Sequence, residues 1–397
     1  MAHQFKYIIV GGGLAGASAI EGIRSRDTSG SIALFCKEGR LPYDRPPLSK
    51  GLWLGKTTLD KIPVHEESFY ASNNVHVHLN TEITEIHPSK NLVGDSKGNR
   101  YVFDKLLLST GGTPRTLSFG AGVVQYYRTV EDYLALKEVA ERQNEFVIVG
   151  GGFIGAELAA ALNLHGKKVT MTFPEECILQ KLLPHDLGTF VTEYYKKKGV
   201  RVLPGDVATS VERSGGKVQV KTRSGKTLAA DSVIAAIGLN LHGEIWKRAG
   251  LKTENGLIVN EFLQTSVSNI YAAGDITNFP ASSLGKRIRI EHWDNARAQG
   301  KMAGENMAGI PKPYLYLPYF WSDLFELGFE AIGDLDSRLT TFADWKEEFR
   351  EGVVYYLDSG QVRGVLLWNV WEKVDAAREL IKNRKAYVKP DSLRGIL

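Results

Sequence analysis

Lys6–Gly16 reads KYIIVGGGLAG, and the reading of this stretch decides the fold. Tyr7, Ile8, Ile9 and Val10 are an apolar, largely β-branched run that predicts a buried parallel strand. The run breaks into Gly11, Gly13 and Gly16, then passes into a helical pattern of small and apolar residues, Ala17, Ala19, Ile20 and Ile23. Each glycine has its own task. Gly11 permits the tight turn, Gly13 lets a pyrophosphate approach the backbone, and Gly16 lets helix and strand pack closely. The helix start offers N–H groups and the positive end of its dipole to phosphate. Ordinary glycine turns mimic such a triplet, but here the flanks are right. A second expected strand, Ser31–Cys36, ends near Glu38, about 20 residues past the last glycine, where a ribose-hydroxyl acceptor belongs.

The pattern then returns. Phe146–Val149 leads into Gly150, Gly152 and Gly155 and a helix with Leu158 and Leu162 on one face. A further apolar strand, Val169–Phe173, ends at Pro174-Glu175. Two strand–glycine–helix units in one chain are far more specific than one, and they imply two dinucleotides. Glu175 again falls where a ribose would sit. A site built for the 2′-phosphate of NADP usually places an arginine there. None is present, which favours NADH; Lys181 is the nearest cation and keeps NADPH as the alternative.

Composition bounds the rest. At 397 residues the chain is expected to divide into two or three domains. With 43% hydrophobic and 24% charged residues it reads as a soluble globular protein. A net charge of +4 suits an acidic protein partner but is too diffuse for nucleic acid, and Lys196–Lys198 reads as a solvated helix end. Cys36 and Cys177 are far apart, so neither a disulfide framework nor a metal set is expected, which fits a reducing, cytoplasmic setting. The first strand begins almost at residue 1, so no targeting segment is expected, and no apolar run reaches the ~18 residues of a membrane span.

Between and after the two units the chain offers further punctuation. Leu41–Lys50, LPYDRPPLSK, carries three prolines that forbid a continuous helix or central strand, and two cations, Arg45 and Lys50. Those cations either meet a cofactor or are solvated; spacing alone does not decide. Val75–Leu79, Glu82–His87 and Tyr101–Phe103 read as a β-meander, and Lys105–Ser109 as a buried strand ending in Thr110-Gly111-Gly112. Glu131–Glu141 reads as a helix. Four strand-like stretches follow, Val200–Leu203, Val207–Arg213, Lys217–Thr222 and Ser232–Ile237, the last ending in Gly238. Asn269–Ala273 is another apolar strand, ending in Gly274-Asp275, and Glu291–Met307 is a helix rich in small residues. From Pro313 the composition turns aromatic, with strands at Phe329–Ile332, Val353–Leu357 and Val362–Trp368 and a helix at Lys373–Ile381. On residues alone, Phe320 and Trp321 read as core.

Taken together, LPYDRPPLSK (Leu41–Lys50), STGGTPR (Ser109–Arg115), GGGFIGAE (Gly150–Glu157), AAGD (Ala272–Asp275), EHWDNA (Glu291–Ala296) and YFWSDL (Tyr319–Leu324) resemble a known family. They are similar to flavoprotein pyridine-nucleotide reductases of the glutathione-reductase superfamily. Within it they resemble the branch of ferredoxin and rubredoxin reductases and the apoptosis-inducing factor. Phe-Trp-Ser-Asp and Val365–Asn369, VLLWN, lie closest to the last. The resemblance spans almost the whole chain. It implies an α/β fold with two Rossmann-like domains of the glutathione-reductase type and a C-terminal α+β domain. The expected division is an FAD domain of 1–114 and 241–313, an NAD(P)H domain of 115–240, and a C-terminal domain of 314–397.

The resemblance also implies roles. FAD would be held by Gly11, Gly13, Leu14, Ala15, Gly16, Lys37, Glu38, Arg45, Lys50, Thr110, Gly111 and Arg115, and by the backbone of Ile83. Asp275 would bind the ribityl chain, with His292 and Trp293 at the flavin ring. The nicotinamide nucleotide would meet Gly150, Gly152, Phe153, Ile154, Gly155, Glu175, Lys181, Gly238, Glu291 and Trp321. Hydride transfer needs stacking, distance and exclusion of water more than acid–base help. Phe153 and Trp321 would therefore act as stacking gates. Lys50 would raise the flavin's electron affinity, with Glu157 fixing it through a charge-assisted hydrogen bond.

This sequence departs from the family in three respects. It lacks the redox cysteine pair, it lacks the Gly-x-x-Pro after Gly238, and it lacks the long insertion of the eukaryotic apoptosis factor between Thr341 and Val353. Death signalling and DNA binding are therefore not carried over. The expected activity is an NADH-dependent FAD reductase that passes single electrons to a small iron–sulfur carrier, ferredoxin or rubredoxin. Two alternatives stand beside it: electron delivery to quinone or oxygen, and an NADH-sensing flavoprotein whose charge-transfer complex gates a homodimer.

Overall fold

The computed structural model describes residues 3–387 and 389–397. The chain separates into two compact units, each made of three pieces. The first holds the described residues of Met1–Asp44, with Leu59–Thr113 and Leu241–Pro318. The second holds Arg45–Thr58, Pro114–Asn240 and Tyr319–Leu397.

The first unit is built on a parallel sheet in the order Val75–His78, Ile32–Phe35, His3–Val10, Arg100–Leu108. Ile8 lies opposite Ala33 on one side and Leu106 on the other, all fully buried, which is why this run is apolar on both faces. Two expectations need correction here. Val75–His78 is not part of a meander; it pairs in parallel with Ile32–Phe35 and forms the sheet edge. Tyr101–Phe103 and Lys105–Ser109 are not separate strands but one, Arg100–Leu108. Its first half pairs antiparallel with Leu92–Asp95, and its second half takes Ile270–Ala272 in parallel. Alternation in the first half and a solid apolar run in the second record two different environments along one strand. Helix Leu14–Arg24 packs on helix Trp293–Ala308 through glycines. A Cβ on Gly22, Gly300 or Gly304 would lie 2.0–2.2 Å from a backbone carbonyl of the other helix.

The second unit carries a five-stranded parallel sheet in the order Arg201–Pro204, Lys168–Phe173, Glu145–Val149, Ser232–Ala235, Val124–Tyr126. A three-stranded antiparallel sheet, Ala208–Ser214, Lys217–Thr222 and Thr227–Ala230, packs its valines against Val147, Val149 and Val233. Helix Val130–Arg142 starts with a full capping box, in which Thr129 and Asp132 satisfy each other's backbone N–H groups. The aromatic C-terminal stretch is a five-stranded antiparallel sheet in the order Tyr319–Leu324, Leu327–Gly333, Gln361–Trp368, Glu351–Asp358, Thr340–Glu347, followed by helix Val374–Lys382. Sequence patterning missed its first and last strands in this order, because neither alternates cleanly. Lys196 and Lys197 close helix His185–Lys197, while Lys198 is tied to Glu326 at 2.6 Å rather than left to solvent. Among the described residues, no helix is long and apolar enough to cross a membrane, and no group of three or more His, Cys, Asp or Glu side chains could hold a metal.

Candidate functional site

In the first unit, the opening strand runs into Gly11 at φ +126°, a conformation that side chains resist. A Cβ there would lie 2.2 Å from the Ser109 carbonyl, and a Cβ on Gly16 would lie 2.2 Å from the Gly11 carbonyl. Those two glycines therefore serve close packing. Gly13 differs: nothing lies within 4 Å of its would-be Cβ, and it caps helix Leu14–Arg24 without any side-chain cap. An open approach to an uncapped helix start is the shape a pyrophosphate requires. Ala15, just inside that helix, is buried against Gly274 and Gly300, and Thr110-Gly111 continue the chain from Ser109.

Around this turn, the structure gathers several of the expected FAD residues. Glu38 accepts a 2.5 Å hydrogen bond from the Tyr43 hydroxyl, while its neighbour Lys37 turns to Glu82 at 2.8 Å. Ile83 is buried at the start of its strand. Gly274, immediately before Asp275, donates its N–H to Gln299 at 2.9 Å. Arg289 donates to the Asp275 carbonyl at 3.1 Å and to the Glu291 carboxylate at 2.5 Å. His292 is the N-cap of helix Trp293–Ala308, and the Trp293 indole donates to Asp44 at 2.5 Å. Burial pushes the Asp44 carboxyl above its ordinary range, and that indole bond opposes the push.

The second unit repeats the cradle. Gly150 sits at φ +128°, its would-be Cβ 2.2 Å from the Ala236 carbonyl. A Cβ on Gly155 would lie 2.2 Å from the Gly150 carbonyl, while Gly152 faces open space and caps helix Phe153–Leu164 without a side chain. Ile154, in the first turn of that helix, is exposed. Glu175 follows strand Lys168–Phe173 and pairs with the well-exposed Lys181 at 3.5 Å. The Arg115 amide donates to the Gly238 carbonyl and its side chain to Leu239, each at 2.9 Å, so the crossing loop is closed without the missing proline. Arg45 donates to the Arg128 carbonyl at 2.7 Å.

A charged cluster completes this unit. Lys50 follows the short 3₁₀ turn Pro46–Ser49, which the prolines set up. Its ammonium lies 3.1 Å from Glu157, 3.5 Å from Asp323 and 3.4 Å from the Trp321 carbonyl, and 5.5 Å from the centroid of the Trp321 ring. Glu157 is 6% exposed, and it also accepts Ser49 Oγ at 2.6 Å and Ser322 Oγ at 2.7 Å. Phe153 stands edge-on to Phe320, ring centroids 5.6 Å apart, so the expected gate residue packs beside strand Tyr319–Leu324. The structure thus brings Lys50, Glu157 and Trp321 together from three distant segments. Sequence reasoning missed Ser49, Ser322 and Asp323. Each lies within a quoted motif, but polar residues next to a named one gave no separate signal.

The comparisons with known proteins agree with this geometry. Residues 5–300 match the family described as pyridine nucleotide-disulphide oxidoreductase. Residues 303–347 and 343–383 match the C-terminal module of mitochondrion-associated apoptosis-inducing factor. The chain is 37% identical to apoptosis-inducing factor 1 of Dictyostelium discoideum, over 96% of this chain and 79% of that one. It is 32% identical to the ferredoxin–NAD(+) reductase component of the anthranilate 1,2-dioxygenase system of Burkholderia cepacia, over 94% and 93% of the two chains. Among solved structures, the covalent putidaredoxin reductase–putidaredoxin complex matches with a TM-score of 0.91 at 30% identity, over 98% of this chain and 95% of that one. This chain belongs to the pyridine nucleotide-disulphide oxidoreductase family. Within it, the chain is an NAD(P)H-dependent flavoprotein oxidoreductase of the ferredoxin reductase branch, with FAD and a pyridine nucleotide as its cofactors.

Proposed function

We propose that this protein is an NADH-dependent reductase that delivers single electrons to a small iron–sulfur carrier of ferredoxin or rubredoxin type. The observation that carries the reading is the largely buried Lys50–Glu157 pair, 3.1 Å apart, on the same structural unit as the stacking candidates Phe153 and Trp321. A buried cation held by a carboxylate costs desolvation, and a redox cofactor that gains negative charge gives it a use. Bound flavin supplies the conversion of a two-electron hydride into single electrons. The chain's own residues do the rest. Gly11, Gly13 and Gly16 would seat FAD with Leu14, Ala15, Lys37, Glu38, Arg45, Ile83, Thr110, Gly111, Arg115 and Asp275, and His292 and Trp293 would lie by its ring. Gly150, Gly152 and Gly155 would seat NADH with Ile154, Gly238 and Glu291, and Phe153 and Trp321 would exclude water from the nicotinamide. Glu175 supports NADH over NADPH, because its carboxylate would repel a 2′-phosphate and Lys181 is already paired with it.

Both cysteines are buried and free, and burial pushes the Cys36 thiol up to about 12. This supports electrons leaving the flavin directly, without a thiol relay. The same reading divides the chain into FAD (1–114, 241–313), NADH (115–240) and C-terminal (314–397) domains. Cytochrome c reduction by NADH should become fast only when a ferredoxin or rubredoxin is added. An equal rate without the carrier would remove the iron–sulfur acceptor and leave quinone or oxygen. The match of the C-terminal stretch to the apoptosis-inducing factor module favours a second reading, an NADH-sensing protein that dimerises on reduction. Size exclusion with and without NADH under nitrogen separates the two.

A further inference from the structure

Glu157 has more donors than one lysine accounts for. Lys50 and Ser322 both point at its Oε1, at 3.1 and 2.7 Å, and Ser49 points at its Oε2 at 2.6 Å. Ser322 is 0% exposed and Ser49 4% exposed, so water does not compete for either hydroxyl. The two serines come from different elements, the 3₁₀ turn before Lys50 and the strand that carries Trp321. Nothing about packing alone requires two hydroxyls to converge on one carboxylate from opposite sides.

We propose that Ser49 and Ser322 are positioning residues that fix the Glu157 carboxylate in place, and through it orient the Lys50 ammonium during flavin reduction. The inference rests on the reading of Lys50 as the cation that tunes the flavin. A carboxylate can accept every one of these bonds; a carboxylic acid must turn one oxygen into a donor and lose an acceptor. Each hydroxyl therefore pins one carboxylate oxygen. The second acid facing Lys50 is Asp323, at 3.5 Å and half exposed. It is too distant and too wet to replace Glu157. The remaining titratable neighbours are phenols, Tyr195 and Tyr127, whose hydroxyls donate to the Ala156 and Leu48 carbonyls and are held neutral by burial. Lys50 and the two serines thus set the orientation of the Glu157 carboxylate. Ser322, adjacent to Trp321, also links the stacking strand to the ion pair.

The test compares FAD-loaded wild type, S49A, S322A, S49A/S322A and the near-isosteric S322C, each mixed with NADH over a range of concentrations. The limiting rate of flavin reduction should fall severalfold for each hydroxyl removed, while the NADH concentration giving half that rate stays as in wild type. S322C, a weaker donor, should fall between wild type and S322A, and it serves as the stand-in if S322A does not fold. A second readout does not involve turnover: the infrared carboxylate band of Glu157, assigned by its loss in E157Q, should shift as each hydroxyl is removed. A limiting rate and a band that stay in place in the double variant overturn the inference, as does a slowing carried by NADH affinity instead of by the limiting rate. If NADH bleaches no variant and not the wild type, the reading of Lys50 fails instead, and the infrared band alone decides the role of the serines.

Discussion

The two glycine turns are the same object built twice. Gly11 and Gly150 share φ values of +126° and +128°, and each stands 2.2 Å, by its would-be Cβ, from a carbonyl just past the end of the neighbouring strand, Ser109 and Ala236. Gly16 and Gly155 each close on the carbonyl of their own first glycine at the same distance, and Gly13 and Gly152 each face open space. Counted from these glycines, however, Ser18 occupies the position in the first helix that Glu157 occupies in the second. Both are buried. Ser18 Oγ has no hydrogen-bond partner among the described residues, whereas Glu157 takes three donors. The lesson is that the two copies share a backbone, with the same close approaches and the same open helix start, and that one side chain on the second copy carries the charge.

The largest effect should come from filling the tight positions. Gly16→Val and Gly155→Val each drive a side chain into a carbonyl, and each should cost about 3 kcal/mol of folding stability. They should then part. G16V should purify without yellow colour, and G155V should stay yellow but resist bleaching by NADH. If G155V also loses its flavin, the two seats are not independent and the comparison breaks. A smaller effect sharpens it. Gly13→Ala and Gly152→Ala have room for the methyl, so Tm should hold while the phosphate approach narrows. FAD affinity in the first and NADH affinity in the second should fall roughly ten- to hundredfold, measured by flavin titration and by the NADH dependence of bleaching.

The smallest effect separates the sheets. The first sheet ends on an edge strand whose His78 stacks on Phe35 at 4.6 Å, with Nε2 buried and unbonded. Burial first, then His76 and His3, hold His78 below its ordinary value of 6.5, against a weaker pull from Asp95. Folding therefore favours the neutral ring, and the unfolded chain binds the extra proton. Stability from this site is present above about pH 6.5 and is lost as pH falls toward the depressed folded value. Tm should drop by a few degrees from pH 7.5 to 5.5, and H78F should flatten that slope.

What the sequence made legible was local. A strand, three glycines and a helix are contiguous, so both turns could be read from spacing, as could the acids Glu38 and Glu175 that follow the next strands. Arg100–Leu108 was harder, because its partners change halfway and so does its pattern. Tyr319–Leu324 shows no apolar–polar alternation, since Trp321 and Asp323 both answer to Lys50 while Ser322 between them answers to Glu157. The cluster at Glu157 draws on segments more than a hundred residues apart, and only the family resemblance suggested that Lys50 belongs near it. The serines had no such pointer: a hydroxyl beside a named residue looks like any other polar position until its partner is known.

The glycine contact between helices Leu14–Arg24 and Trp293–Ala308 bears on how the chain is made. Arg26 and Glu305, which bridge the ends of that contact at 3.5 Å, are 279 residues apart. During synthesis, the apolar side of the first helix therefore waits, uncovered, while the intervening chain emerges. Such distant pairings are slow to form, so this contact closes late, after the last third of the chain has left the ribosome.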